Sequence, residues 1–488
     1  MKSRTSKLMI VIALFAALVL PVQLAAQHTR YKVIDIGTLG GPAAHGPGNG
    51  PGSQLINNAG VVVGTADTST RDPNCGCFVS HGFRWRDGVL TDLGVLAGGE
   101  FSAAGAINAR GWIAGFSQTG EVDPVSAGPV GHAVLWKDNS IINLGTLGTG
   151  VESAASYVKN GGQVVGNATI DTTFDPFAFA GLGPFSSPSH VFTWKNGVMR
   201  DISTLGGPDS FAAGGCNNER DELVSGTSFT DSIPNSDTGL PTTDPFLWEN
   251  GKMKDLGSLG GTFGFAQCAN NRGQVIGLSS LTGGACFTGS GLCHAFFWDG
   301  ANLNDLRTLG GSFSIAFWLN ENGEAVGGAT TTDDESFHAT VWRNGQITDL
   351  GTLEGDCFSI ACAINSKSQI VGQSFNCDTN TSETVLWDHG SIFNLNVAST
   401  EPLNINERGE ITGVDLPPGC DDSDSCGHAF LLVSCDNAAT QGCENKAGVT
   451  VRAAMTRDPN KTKGLVTKWR ARLAQRNHIR GFGASPRD

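Results

Sequence analysis

The chain has 488 residues, a formal net charge of −14, 67 glycines and 13 cysteines. That length excludes a single small domain and suits either several domains or one long repeat array. The charge is uneven: residues 1–26 carry +3 and residues 444–488 carry +8, which leaves −25 on residues 27–443. Three regions of different character follow from that split.

Residues 1–26 come first. Lys2, Arg4 and Lys7 precede the apolar run LMIVIALFAALVL (8–20), and Ala25 and Ala26 follow. This pattern predicts a secretory signal peptide cut near Ala26–Gln27, with an uncleaved anchor as the alternative. The run is short for a membrane span, and no other stretch is long and apolar enough to cross a bilayer. The expected location is extracellular, with the periplasm as the alternative. Cysteine usage fits export, because disulfides persist outside the cytosol. Cys286–Cys293 and Cys420–Cys426 are the preferred pairings, as short loop staples. An odd total leaves at least one thiol free or paired with another chain. Cys75-Gly-Cys77 has no partner motif at zinc spacing.

Residues 31–435 repeat three phrases. The first is DIGTLGG (35–41), with relatives at 92–99, 143–148, 201–207, 255–261, 305–311 and 349–355, and a worn NLN at 394–396. The second is INNAGVVVG (56–64), with relatives ending at Gly115, Gly166, Gly226, Gly277, Gly327, Gly372 and Gly413. The third is HGFRWRDG (81–88), with relatives starting at His132, His190, Asp244, His294, His338, Glu383 and His428. Seven intervals separate Ile36 from Leu395, a mean period of about 51 residues. Each unit offers four short strands. Strand A ends in the Ile-Asn phrase, B is Gly-x-Val-Val-Gly, C is His-Ala-Phe-Leu-Trp and D leads into Asp-Leu-Gly. Four strands at this period are what a β-propeller blade needs.

The C–D connection is the best determined. Asp87-Gly88, Asn196-Gly197, Asn250-Gly251 and Asn344-Gly345 suit two-residue hairpin turns, and Asp138-Asn139 and His389-Gly390 stand in the same place. The first residues of the C phrase and of the following Asp-Leu-Gly phrase are always 11 apart, from 81/92 to 383/394. Such constancy marks a fixed register. Trp85, Trp136, Trp194, Trp248, Trp298, Trp342 and Trp387 form one column, with Leu432 as its eighth member. One large aromatic per sheet is expected to fill the space between neighbouring sheets.

The ends of this region complement one another. The eighth unit lacks a D strand, and the chain opens on an orphan D phrase, YKVIDIG (31–37). Pairing it with 428–433 would close the ring and remove a sheet edge. The expected fold is therefore all-β: an eight-bladed β-propeller of four-stranded repeats, closed by its N-terminal strand. An open β-solenoid is the rival, and it has no use for the orphan strand.

The joint pattern DLGTLGG, IN-x-x-G-x-V-V-G, HAFLW resembles the HAF-family extracellular repeat of exported bacterial proteins. The resemblance covers about 31–435. It implies a secreted, propeller-like repeat protein, and brings no catalytic residues to carry over. Asp244 and Glu383 depart from the His column, as does the worn eighth unit, so the histidine is not required of every copy.

Chemistry is expected on the B–C connections, which vary while the other turns do not. Taken as 65–80, 116–131, 167–189, 227–243, 278–293, 328–337, 373–382 and 414–427, they hold 16 Asp/Glu and one basic residue, Arg71. A solvated acidic face is one reading. Calcium sites at Asp333, Asp334 and Glu335, and at Asp421, Asp422 and Asp424, are the other, since hard cations want oxygen ligands. The histidines are spread one per unit, so they do not converge on one metal. Each shares a strand face with the Asp or Asn 11 residues on, and a His–Asp hydrogen bond within each unit is expected. Trp112 and Trp318 fall outside the column and are candidates for sugar stacking or for core. No G-x-S-x-G elbow, H-E-x-x-H or phosphate-cradling loop occurs.

The third region, 444–488, is basic. KGLVTKWRARLAQRN (463–477) reads as an amphipathic helix with Leu465, Trp469 and Leu473 on one stripe. It suits an anionic envelope surface, the acidic face of the same chain, or no fixed structure; nucleic acid is not an expected partner. Three functions remain open: a secreted non-catalytic scaffold binding cell-surface glycan or protein through the acidic loops; a glycan-active hydrolase or lyase at the propeller channel; and a purely structural surface protein.

Overall fold

The computed structural model describes residues 31–435 except 47–52, 74, 178–184, 215–217, 284–285, 287–290, 418 and 421–422. The expected signal peptide and the basic tail lie outside the described residues. Strands dominate the described chain; its helices are a 3₁₀ turn at Thr332–Asp334 and one turn at Ser423–Cys426. Among the described residues no helix is long and apolar enough to cross a membrane.

Four separate four-stranded antiparallel sheets run in chain order from Gly40 to Asp92, Ser102 to Asn143, Ser153 to Asp201 and Ser210 to Asp255. The strands from Gly264 to Ser434 form a 15-stranded sheet that Tyr31–Asp35 completes. Within it, sets of antiparallel strands are linked by the one-residue parallel bridges Cys293↔Phe313 and Phe337↔Phe358, and by the long strand Ser391–Ile405.

The hairpin register is uniform. The third residue of each C phrase faces the first residue of an Asp-Leu-Gly phrase: Phe83↔Asp92, Val134↔Asn143, Phe192↔Asp201, Phe246↔Asp255, Phe296↔Asp305, Thr340↔Asp349 and Val385↔Asn394. In the last unit Phe430 faces Asp35, and the pairing runs on to Tyr31↔Ser434. The orphan phrase thus supplies the missing fourth strand. Six of the hairpins have both turn residues at positive φ, such as Asn196 at 51° and Gly197 at 86°. The opening at Asp299-Gly300 differs: its turn extends to Asn302, and Asp299 Oδ1 accepts the amides of Ala301 and Asn302, both at 2.8 Å.

The Trp column is buried throughout, from 2% exposure at Trp342 to 8% at Trp194, and Leu432 is at 0%. Each cluster of core residues joins neighbouring units. Trp136 packs with Leu55, Val61 and Val63 of the preceding unit, and Trp85 packs with Ala429 and Leu431 of the last one. The repeated aromatic is therefore the filling between sheets, as its spacing predicts.

Disulfides Cys286–Cys293 and Cys420–Cys426 form as expected, together with Cys75–Cys77 and Cys357–Cys377. The last pair bridges two strands whose register sets Phe358 opposite Phe375. Cys362 is a buried thiol. Several disulfides suit an oxidising compartment.

Candidate binding face

The repeated polar residues are consumed inside the fold. Nδ1 of His81, His190, His294 and His338 lies 2.8–3.0 Å from the carboxylate of Asp92, Asp201, Asp305 and Asp349. His132 meets Asn143 in the same way. His428 meets Asp35 at 3.1 Å, across 393 residues of sequence. His81 Nε2 also donates to the carbonyl of Glu100, so both ring nitrogens donate, and its pKa is raised, chiefly by Asp92. The partner carboxylate has a second task. Asp92 accepts the amide of Gly94 at 2.7 Å, and the same Asx turn recurs at Asp35, Asp201, Asp255, Asp305 and Asp349. The third residue of the phrase then sits at positive φ, which is why glycine is usual there.

Two further linkages are not anticipated by the repeat phrases. The serine that opens strand A accepts an amide from the preceding C strand and donates to the carbonyl of the preceding Asp-Leu-Gly turn. Ser102 joins Gly82 to Gly94, Ser153 joins Ala133 to Gly145, and Ser359 joins Ala339 to Gly351. At the opposite end of the strands, the Asn of the Ile-Asn phrase donates to the carbonyl of its counterpart in the next unit. Asn57 reaches Asn108, Asn108 reaches Lys159, Asn270 reaches Asn320, Asn320 reaches Asn365 and Asn365 reaches Asn406. Asn406 then reaches Asn57 at 3.0 Å. The third unit has Lys159 in place of Asn. Its Nζ, fully buried, donates to the carbonyls of Arg220 and Leu223, and burial pushes its pKa down to about 7. A constant 51-residue spacing at Asn57, Asn108 and Lys159 is the one sequence signal for this chain of bonds.

The B–C connections differ from expectation. The strands run further than the repeated phrases, as Val62–Arg71 and Ile113–Val122 show, so the loops are shorter than the variable segments. Several of their acids are buried and do not belong to a solvated face: Asp67 at 8%, Asp123 at 1% and Asp175 at 2% exposure. The connections also carry exposed apolar side chains in four units: Val122, Phe174, Ile233 and Leu292.

The two sets of calcium candidates, Asp333 to Glu335 and Asp421 to Asp424, stand on the connections of two different units. Asp333 and Asp334 lie in the 3₁₀ turn, with Glu335 closing it. Both carboxylate oxygens of Asp334 accept from Ser312, at 2.8 Å from its amide and 2.7 Å from its hydroxyl. Asp424 lies in the turn Ser423–Cys426, and Asp421 and Asp422 lie outside the described residues. Asp72, Cys75 and Cys77 do stand close enough to share an ion, but the two sulfurs are joined as a disulfide and offer no thiolate. Trp318 is 6% exposed in the core. Trp112 is half-buried under Lys137 Nζ at 4.1 Å and Arg110 at 5.2 Å, so neither offers a free platform for a sugar.

No family model matches the chain, and no curated protein matches it. Among solved structures it aligns with the acylaminoacyl peptidase of Pyrococcus horikoshii at 10% identity, over 77% of this chain and 58% of that one, with a TM-score of 0.40. The β-propeller domain of the Trilobed protease from Pyrococcus furiosus gives 10% identity, 77% and 100% coverage and a TM-score of 0.40. Porphyromonas gingivalis dipeptidyl peptidase 4 gives 9%, 73%, 56% and 0.44. The chain thus spans little more than half the length of the two peptidases. Scores this low transfer no activity, and the architecture rests on this chain's own register and hydrogen bonds.

Three acids beside strand entries have displaced pKa values. Burial pushes Glu152 up to about 7, with Asp123 adding to it. Burial likewise pushes Asp209 up to about 7, and Asp244 up to about 6 with help from Asp255. Asp244 stands where other units have His, so a carboxyl faces a carboxylate there, and its Oδ1 receives no donor from the described residues. The register Phe246↔Asp255 survives the change, so the histidine is not what sets it.

Proposed function

We propose that the protein is an exported, non-catalytic binding scaffold of the HAF-repeat type: an eight-bladed propeller closed by Tyr31–Asp35, using its B–C connections as the binding face. The closure is supported by the shared register of Phe430↔Asp35 and by the Asn406–Asn57 bond. The observation that carries the functional reading is the division of labour between the two ends of the strands. The A–B turns are bonded unit to unit, whereas the B–C connections vary and expose Val122, Phe174 and Ile233 in acidic segments and Leu292 in an uncharged one; at the other end Val89 and Val198 of the C–D hairpins are the exposed apolar groups. Apolar groups exposed on one face mark an interaction surface where they form a contiguous patch. Three of the four are aliphatic, which favours a protein ligand over a glycan, because sugars stack on aromatic faces.

The test uses residues 27–488 against isolated envelope protein and polysaccharide fractions from the producing cell. Saturable binding to the protein fraction is expected. Val122→Lys, Phe174→Lys and Ile233→Lys together should abolish it without lowering the melting temperature. Undiminished binding by that variant would remove the face from consideration.

A second reading has one observation behind it. Glu152 has a raised pKa. Asp123 has a lowered one despite its burial, held by Ser126 and the amides of Val125 and Ser126. Asp123, at 1% exposure, is closed to substrate and can only set the charge beside Glu152, which is half-buried and would act as the acid. Release of reducing ends from the polysaccharide fraction, lost in Glu152→Gln, would favour a hydrolase or lyase.

A further inference from the structure

Asp175 and Asp209 are each 2% exposed. Asp175 lies on the B–C connection of the third unit. Asp209 immediately precedes the first strand of the fourth, Ser210–Ala212. Their backbones are anchored. The Asp175 amide donates to Ser186 O at 3.0 Å, and Asp209 O accepts the Phe229 amide at 3.1 Å. One oxygen of each carboxyl is used: Asp175 Oδ1 accepts the Phe177 amide at 2.9 Å, and Asp209 Oδ1 accepts the Ser189 amide at 2.7 Å. The two carboxyls are neighbours: Asp175 is bonded to Ser186 and Asp209 to Ser189, three residues further along the same segment. Asp209 Oδ2, fully buried, receives no donor from the described residues. Among those residues neither acid pairs with Lys or Arg, and the neighbouring His190 is committed to Asp201.

Two neighbouring buried carboxyls resist being ionised together with nothing between them. A proton or a cation must sit there. At 2% exposure no substrate reaches the pair, so a catalytic dyad is excluded on access alone. The preceding unit shows how the proton solution looks. Asp123 is saturated by three donors, and Glu152 is only half-buried and can keep its proton at the surface. The Asp175–Asp209 pair lacks both features. Its donors are all oxygen, on loop segments, which suits a hard cation tolerant of irregular geometry, calcium before magnesium.

We propose that Asp175 and Asp209 hold a calcium-type divalent cation that ties the third unit to the entry of the fourth. Affinity in the range of about 10⁻⁴–10⁻³ M, usual for extracellular modules, is expected. Asp175 follows Phe174 of the docking face on the same connection, but the two are read apart: the cation by melting temperature, the docked ligand by binding.

The experiment uses chelator-stripped protein, residues 27–488, at pH 7.5. Millimolar calcium chloride should raise the melting temperature by about 3 °C over EDTA, and magnesium chloride by less. Asp209→Asn and Asp175→Asn should each abolish the calcium-dependent part and raise the melting temperature in EDTA, because each removes one of two like charges. An equal calcium shift in the wild type and both variants would move the ion elsewhere and overturn the site. So would a wild type indifferent to calcium: the pair would then hold a proton and no ion at any calcium concentration. If neither variant folds, the wild type decides alone, since an ion held by carboxylates must be lost as the pH falls to 5, and a calcium shift undiminished there would refute it.

Discussion

Ser203 and Arg307 occupy the third position of the Asp-Leu-Gly phrase, where φ is 70° and 63°. Glycine stands there in five units, and the left-handed conformation it adopts freely is unfavourable for a residue with Cβ by about 1 kcal/mol. The Asx bond from the Arg307 amide to Asp305 Oδ1, at 2.7 Å, holds the turn all the same. Arg307→Gly is therefore expected to stabilise the protein by about 0.5–1 kcal/mol in urea unfolding, with Ser203→Gly acting in the same direction. The reverse change, Gly351→Arg, should cost about 1 kcal/mol. Equal midpoints for all three would show that the turn tolerates Cβ and that the glycine preference has another origin.

At the scale of the strand, Tyr31–Asp35 does what no internal strand does: it joins segments almost 400 residues apart. It gives Asp35 to His428, and Ile34 and Ile36 to the core shared by the first and last units. Removing residues 27–36 would bare the edge of His428–Ser434 and orphan a five-residue ladder. Lost ladder bonds at about 1 kcal/mol each, with buried Ile36 at about 2 kcal/mol and partly buried Ile34 at about 1 kcal/mol, put the expected loss on the order of 5 kcal/mol or more. The exposed edge should also promote self-association. Urea unfolding and gel filtration of the truncated chain check both. An open array would lose far less and stay monomeric.

For the whole molecule the buried acids set the pH response. Glu152 and Asp209, raised to about 7, and Asp244, raised to about 6, keep a proton in the folded chain that the unfolded chain has released above its ordinary carboxyl pKa. The folded state binds more protons in that window, so stability falls as pH rises from about 4 to 7. His81 acts in the same direction: its raised pKa gives stability that is complete below 6.5 and is lost as pH climbs through the folded value. Asp92, Asp201, Asp305 and Asp349 oppose this only in stronger acid. Burial tends to raise them, but the His and backbone hydrogen bonds win and lower them, so their contribution is lost as pH falls below about 3.8. Lys159, lowered to about 7, adds a gain as pH rises from about 7 towards 10.5. In EDTA the melting temperature should peak between about pH 4 and 6 and fall by several degrees at pH 7.5. Glu152→Gln with Asp209→Asn should flatten that fall. A melting temperature that climbs from pH 5 to 7.5 would contradict the assignment.

The repeating unit, its strands and their register are all legible in the chain itself. The 11-residue interval between the C phrase and Asp-Leu-Gly is a hairpin length, and hairpin geometry is local. The same locality makes the His–Asp bond, the buried Trp column and the orphan D strand readable from spacing. Which acids are buried is another matter, settled by packing. Asp123 and Asp175 sit in loops less acidic than that of Asp334, yet strands and neighbours far along the chain enclose them. Packing also decides that Cys357 reaches across to Cys377, and that Ser102 and Asn57 sew each unit to the next. Propensity and spacing act over a few residues, whereas burial and charge partners depend on what a neighbouring unit, some 50 residues away or at the other end of the chain, places against the same atom.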